Sequence, residues 1–402
     1  MKKSKALFIL TCSVIFTVVL TSNAYSQEPE TACAPVVFTY EQALQMTMDG
    51  ILAVRVIDNT IRETQVQRHN LSYAVRHLRN TSGDSVGSGR PSREAQRNLN
   101  EFDRNMQYLR LQQEQARLVA EFNLRRIIVA MAEQNMLLEV YKTELVLAGD
   151  SYRRMSIMSG FGLVSDRDLS VARYRFAGHH TRLDEHQRRQ ENTKQELNIL
   201  LGQPLNQNTI ITSSIVLPGL PGDLTHHIHT LVRQAPSIQM LQAEVDSALD
   251  ARWVYTGDNR NIIISTRDRQ RAWAEERPRG YTGPQHTPTE EILQLRNRLA
   301  LQEAVERTIF ERDRAMQALE AAIRQGFNDY AGLLDRADIL DTQLTQTKAA
   351  LETILFEYEL GLVAQYEVEY ARLASIRAGH NIEILNMQKW ILSFRLENPS
   401  LL

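Results

Sequence analysis

The feature that most restricts the fold of this chain is a seven-residue spacing of apolar side chains running through its longest unbroken segments. The series Ile323, Phe327, Tyr330, Leu334, Ala337, Asp341, Leu344, Lys348, Leu351, Leu355, Tyr358 advances by alternating steps of four and three, and only Asp341 and Lys348 are out of character. Residues 93–158 keep the same rhythm more loosely, through Phe102, Met106, Leu109, Ala120, Ile127, Leu138, Leu145 and Met155. A heptad repeat sustained this long predicts helices packed side by side as coiled coils. At about 1.5 Å per residue, block 93–158 makes a rod of about 100 Å and block 289–359 one slightly longer. An ordinary bundle uses helices of about a dozen residues.

Breakers cluster in few places: residues 81–91, 160–165, 202–222, 255–288 and around Gly361. Capping signals agree with that division. Thr39 with Gln42, Thr287 with Glu290 and Ser165 with Asp168 all have the spacing in which a hydroxyl and a side chain three residues on satisfy orphan backbone amides. Helices are therefore expected at 40–79, 93–158, 166–201, 224–254, 289–359 and 365–395, with 40–79 and 166–201 short enough to stack end to end beside the first rod. Glycine and proline are sparse, at 18 and 11, as long solvated helices require. The balance of 46 basic against 48 acidic residues, net charge -2, gives no reason to expect nucleic acid or an anionic membrane surface as a partner.

The N-terminus has the three-part layout of a secretory signal: Lys2, Lys3 and Lys5, an apolar run from Ala6 to Leu20, and small residues at Ala24-Tyr25-Ser26. Cleavage after Ser26 or after Ala24 fits, and a retained anchor is the other reading, although the apolar run is short for a spanning helix. The chain then divides into a signal at 1–26, a first helical unit at 27–222 and a second at 223–402. Cys12 lies in the signal and Cys33 stands alone after it, so the exported chain closes no internal disulfide. Glu30-Thr31-Ala32 before Cys33 lacks the apolar residue of a lipoprotein processing site.

The two units share a motif. Gly162-Leu163-Val164-Ser165-Asp166-Arg167-Asp168 through Ala172-Arg173 aligns without gaps to Gly361-Leu362-Val363-Ala364-Gln365-Tyr366-Glu367 through Ala371-Arg372, at a constant offset of 199. Self-similarity of this kind marks a duplicated structural unit. Each copy falls where a long helix ends and a shorter one begins, so each predicts a tight tip: glycine for the left-handed backbone, an apolar pair, then an acid near the next helix's positive end. Two readings stand, a well-made turn and a surface that docks another helical protein.

Here the sequence resembles the TolC-type outer-membrane efflux family. Phe161-Gly162-Leu163-Val164 with Asp168 and Ala172-Arg173 looks like its tip motif, and Glu359-Leu360-Gly361-Leu362 like the second-repeat counterpart. Tyr40-Glu41-Gln42-Ala43-Leu44, Leu197 to Leu205 and Ala235-Pro236-Ser237-Ile238 resemble other landmarks of the family, in its order. The resemblance implies a mainly α, duplicated long-helix coiled-coil protomer of a homotrimeric α-barrel in the periplasm, associated with the outer membrane. It implies tips that dock a membrane-fusion adaptor, itself coupled to an inner-membrane transporter. By analogy Gly162, Leu163, Val164, Gly361, Leu362 and Val363 form the docking tips. Glu367 and Asp168 are candidates for a gate at the entrance, where like charges would select among ions; simple helix N-terminal charge explains them equally.

One departure stands out. The family inserts two long membrane-spanning strands into each repeat, each needing about 9–11 residues. Residues 80–92 are too few for a pair, and 255–288 carry Arg267-Asp268-Arg269-Gln270-Arg271 beside Asn261 to Thr266, a charge density costly against lipid. Little or no β-barrel is expected, and a coiled-coil scaffold without a channel is the second functional reading. No phosphate loop, nucleophile elbow or catalytic carboxylate pair is present, so neither catalysis nor a cofactor is expected. His226-His227-Ile228-His229 and His179-His180 are weak metal candidates, lacking an acid or cysteine at ligand spacing. Trp253 and Trp273 suit either packing or an interfacial anchor.

Overall fold

Helices fill the intervals between the breaker clusters. A computed structural model describes residues 36–81, 89–212, 224–252 and 288–402. A four-residue strand, β1 (Val36–Thr39), leads into α1 (Tyr40–Gly50) and α2 (Leu52–Thr81). Next come α3 (Gly89–Gly160), α4 (Asp166–Leu201) and a second strand, β2 (Thr209–Thr212). Helix α5 (Leu224–Gln234), helix α6 over 236–252, α7 (Pro288–Glu359), α8 (Gln365–Glu397) and a 3-10 turn at Pro399–Leu401 complete the chain. The signal segment, Cys33, Thr287, Trp253, Trp273 and the 261–271 stretch lie outside the described residues.

Cap chemistry sets the helix ends. The Thr39 backbone amide donates to Gln42 Oε1 at 2.9 Å while the Gln42 amide donates to Thr39 Oγ1 at 3.3 Å, a complete capping box. Two expected helices are divided. The 40–79 segment breaks at Ile51, whose backbone is extended, and 224–254 breaks at Ala235. Ala235 precedes Pro236, and the proline ring disfavours helical backbone in the residue before it.

Helices α3 and α7 are each 72 residues long, about 108 Å. The offset seen at the tips extends through both: α3 and α7 start at Gly89 and Pro288 and end at Gly160 and Glu359, and the return helices start at Asp166 and Gln365. Buried side chains keep the same register, Leu124 with Ile323, Ile128 with Phe327 and Leu197 with Leu396.

Helix α3 is the spine of the first unit. Helix α2 lies along its first half, tied by Arg68 to Asp103 at 2.6 Å and Gln113 to Asp58 at 2.5 Å. Helix α4 lies along its second half, where Gln134 Nε2 donates to Thr193 Oγ1 at 3.0 Å. The α1–α2 segment and α4 stack end to end, as expected: a Cβ on Gly50 would stand 3.7 Å from the Leu200 carbonyl oxygen. Helix α8 packs on both α7 and α3 and so joins the two units.

The core concentrates at two duplicated junctions. One gathers Ala43, Leu124, Ile127, Leu197, Leu201 and Trp390; the other gathers Ile228, Leu231, Ile323, Phe327, Tyr330 and Leu396. Each buried leucine, isoleucine or phenylalanine among them stabilises the fold by about 1.5–3 kcal/mol. The seam along α7 needs a correction. Its second row is Leu333, Leu340, Thr347 and Ile354, one residue earlier than expected, so Asp341 and Lys348 sit on the surface and interrupt nothing.

The strands β1 and β2, which the sequence did not announce, pair in parallel with Val36 opposite Thr209. They are the only strands among the described residues. Residues 82–88, all that separates α2 from α3, cannot supply two spanning strands of about 9–11 residues. Among the described residues no helix is long and apolar enough to cross a membrane.

Candidate docking tips and the groove beside them

Both tips close by the same hydrogen bonds. Gly162 N–H donates to Ser159 O at 2.9 Å and Leu163 N–H to Met158 O at 2.9 Å; Gly361 N–H donates to Tyr358 O at 2.9 Å and Leu362 N–H to Glu357 O at 2.9 Å. This pair of bonds is the Schellman motif, and it requires a left-handed residue at the helix end. Gly162 and Gly361 supply it with φ of 71° and 74°.

Leu163 and Leu362 are 71% and 72% exposed, and Phe161 and Leu360 stand out beside them. Val164 and Val363 are half-buried. A tight turn alone does not need two bare leucines at matching positions. The tips also share one end of the molecule. The Arg154 guanidinium, near the end of α3, lies 4.4 Å from the ring centre of Tyr366 in the first turn of α8, a cation–π contact that links one tip to the other.

The two acids are placed differently. Asp168 closes its own cap: its amide donates to Ser165 Oγ at 3.2 Å and its carboxylate accepts the Ser165 hydroxyl at 2.6 Å. At the second tip the capping position is Ala364, which offers no hydroxyl. Glu367 instead accepts the Tyr366 phenol at 2.9 Å. That hydrogen bond, and then the carboxylate's charge, raise the Tyr366 pKa above its ordinary value. Asp168 is thus occupied as a cap, while Glu367 is half-exposed and free of that duty.

A groove of about 700 Å³ runs beside the tips between α3, α4 and α8, lined by Glu144, Asp168, Arg175, His179, Tyr370 and Arg377 among others. Glu367 does not line it. At its floor the Glu144 side chain is 10% exposed, with His179 Nδ1 3.2 Å from one oxygen and Arg377 bonded to the other. This cluster was not visible in the sequence, because its members come from three helices and no short spacing joins them. The two adjacent histidines part company, since His180 faces Asp184 at 3.1 Å. His227 packs edge-on against Phe327. Among the described residues no group of three or more His, Cys, Asp or Glu is placed to hold a metal ion.

No protein-family model and no curated protein matches this chain. Solved structures do. The outer-membrane channel OprN superposes with a TM-score of 0.60 at 14% identity, over 90% of this chain and 89% of that one. CmeC, an outer-membrane channel of Campylobacter jejuni, gives 0.61 at 11% identity over 90% and 86%. The outer membrane protein VceC of Vibrio cholerae gives 0.56 at 12% identity over 89% and 94%. The fold is therefore that of the TolC-type outer-membrane channels, spread over nearly the whole chain. The mainly α, long-helix protomer expected from the tip motifs is what the chain forms.

Proposed function

We propose that the protein is an exported duct component of a tripartite efflux or type I secretion system. Two units, 27–222 and 223–402, build each protomer, and three protomers close an α-barrel in the periplasm, associated with the outer membrane. The tips Gly162-Leu163-Val164 and Gly361-Leu362-Val363 dock a membrane-fusion adaptor, itself coupled to an inner-membrane transporter. Glu367, with Asp168 in a lesser part, lines the entrance. The protein is passive, with neither catalysis nor a cofactor. The observation that carries this reading is the pair of tips closed by the same turn hydrogen bonds, side by side, each presenting an exposed leucine. The channel folds it resembles support it.

The test has two parts. Light scattering on the purified chain is expected to give a trimer of elongated shape; a monomeric mass or a compact shape overturns the duct. Leu163→Asp with Leu362→Asp should abolish capture of a co-expressed membrane-fusion adaptor while leaving the trimer mass unchanged. A second reading, a non-conducting coiled-coil scaffold of an envelope secretion machine, draws on the shortness of residues 82–88. Conductance in planar bilayers favours the duct, and purification without detergent together with silent bilayers favours the scaffold.

A further inference from the structure

The offset of 199 that relates the two units also relates their surfaces. Inside the chain, α8 of the second unit lies on one face of α3 of the first, where Leu373 clusters with Val140 and Leu147. The Glu144 and Arg377 pair and the contact of Arg125 with Trp390 belong to the same joint. Moving its α3 residues forward by 199 and its α8 residues back by 199 gives the joint that the duplication would make next. On α7 that joint falls at Ile339, Gln343 and Gln346, and on α4 at Tyr174 and Gly178, all exposed. Ile339 is 67% and Tyr174 79% exposed, while their counterparts Val140 and Leu373 are at 5% and 4%. A single chain does not bring these faces together. Helix α4 packs on α3, α3 on α8 and α8 on α7, so the two bare faces lie at opposite edges of the row.

We infer that the bare face of α7 takes α4 of a second copy of this chain, Tyr174 of the copy seating against Ile339 and Gln346 as Leu373 seats against Val140 and Leu147. This contact rests on the duct reading only for its closure at three copies. The chemistry of the two faces suits the occupant. Where the inner joint holds the Glu144 and Arg377 ion pair, the outer one sets Gln343 opposite Gly178, so covering that position strands no charge. Where the inner joint lays Arg125 on Trp390, the outer one sets Arg324 opposite Glu191, of opposite sign. Glu320 holds Arg324 at 2.6 Å as Glu121 holds Arg125 at 2.7 Å, so the guanidinium is tethered alike in both units. A tyrosine and an isoleucine bared at matched positions supply the apolar area for an anchor. Because one face of each copy meets a different face of the next, the contact runs head to tail and either closes into a ring or continues as a filament.

Cysteine pairing in the exported chain tests this, on a Cys33→Ser background. Tyr174→Cys combined with Ile339→Cys, or with Gln346→Cys, should give bands of two and three chains after mild oxidation, removed by reductant. Tyr174→Cys combined with Asp341→Cys, on another side of α7, should stay at one chain. Neither Tyr174→Cys alone nor Ile339→Cys alone should cross-link, whereas the two single variants co-expressed should stop at two chains. A band from Tyr174→Cys alone overturns the inference, since like faces would then be meeting. Light scattering on the same samples separates it from the duct. A trimeric mass without bands from either pair overturns the α7 to α4 contact and leaves the duct standing. Bands running on past three chains keep the contact and break the duct, and a monomeric mass without bands overturns both.

Discussion

Backbone strain at the tips can be isolated at single residues. A Cβ on Gly162 or Gly361 would meet no atom within 4 Å, so alanine there adds only the cost of a left-handed φ. Each substitution should lower the unfolding free energy by about 1 kcal/mol in a urea titration followed by circular dichroism; no loss at either would mean that its Schellman turn does not form. Arg125 poses a different problem. Its guanidinium carbon lies 4.0 Å from the ring centre of Phe394 and 4.7 Å from that of Trp390. Its Nη2 donates to Glu121 at 2.7 Å and its Nε to the Tyr40 oxygen at 3.0 Å. Lysine keeps the charge but loses the plane and the fork. Arg125→Lys should destabilise by about 1–2 kcal/mol, against no change for Arg153→Lys on the surface. Burial raises the Tyr40 pKa well above its ordinary value, with Arg125 opposing and Glu121 reinforcing. The folded protein then keeps that phenol neutral at a pH where an unfolded tyrosine ionises, about 10. Stability should fall as pH climbs past about 10, and Tyr40→Phe should flatten that slope in thermal melts.

Among the elements, the end of α4 carries the most exposed liability. Asn198 is fully buried. Its amide donates to the carbonyls of Leu205 and Gln207 at 2.9 and 2.8 Å, and its oxygen accepts the Thr209 hydroxyl at 2.7 Å. One side chain therefore aims the 202–208 connection into β2, and β2 in turn holds β1 and the start of α1. Asn198→Asp turns a carboxylate toward two carbonyl oxygens and should cost about 3 kcal/mol or more, read by chemical denaturation; Asn198→Ala should cost less, since it removes donors without adding charge. The helix ends were legible in the sequence because caps are local: Thr39 with Gln42, Ser165 with Asp168, and the two tip glycines all act within a few residues. The break at Ala235 was equally local, written in Pro236, yet the apolar rhythm across it concealed the stop. Other features lay beyond local reading. The partner of Val36 is Thr209, and a four-residue strand has no pattern of its own to announce a mate that far away. The α7 seam was misread by one residue where Leu333-Leu334 and Ile354-Leu355 present apolar side chains to both registers. The tip residues themselves could be named from the duplicated motif, whereas the Glu144, His179 and Arg377 cluster required the fold.

Across the whole molecule, burial is uneven, and that unevenness bears on how a duct would open. The junction core gathers nine buried side chains around Leu124 and Leu197. Toward the tips the contact between α3 and α8 rests on three, Val140, Leu147 and Leu373, with the charged pair of Glu144 and Arg377 beside them. Regions with few buried apolar contacts open locally at lower free energy than the global transition. Backbone amides around 140–155 and 366–378 are therefore expected to exchange with deuterium faster than those around 124–131 and 323–330, although all lie in continuous helix. Leu147→Ala should sharpen the contrast. The lost contacts amount to about 2–5 kcal/mol, drawn from a patch with little else to hold it, so exchange near both tips should rise while the junction segments stay protected. If protection fell equally along the rods, α3 and α8 would be opening as one unit. A tip end able to loosen over a fixed junction is what an entrance at Glu367 would need, and a rod that opens only as a whole would argue for the scaffold.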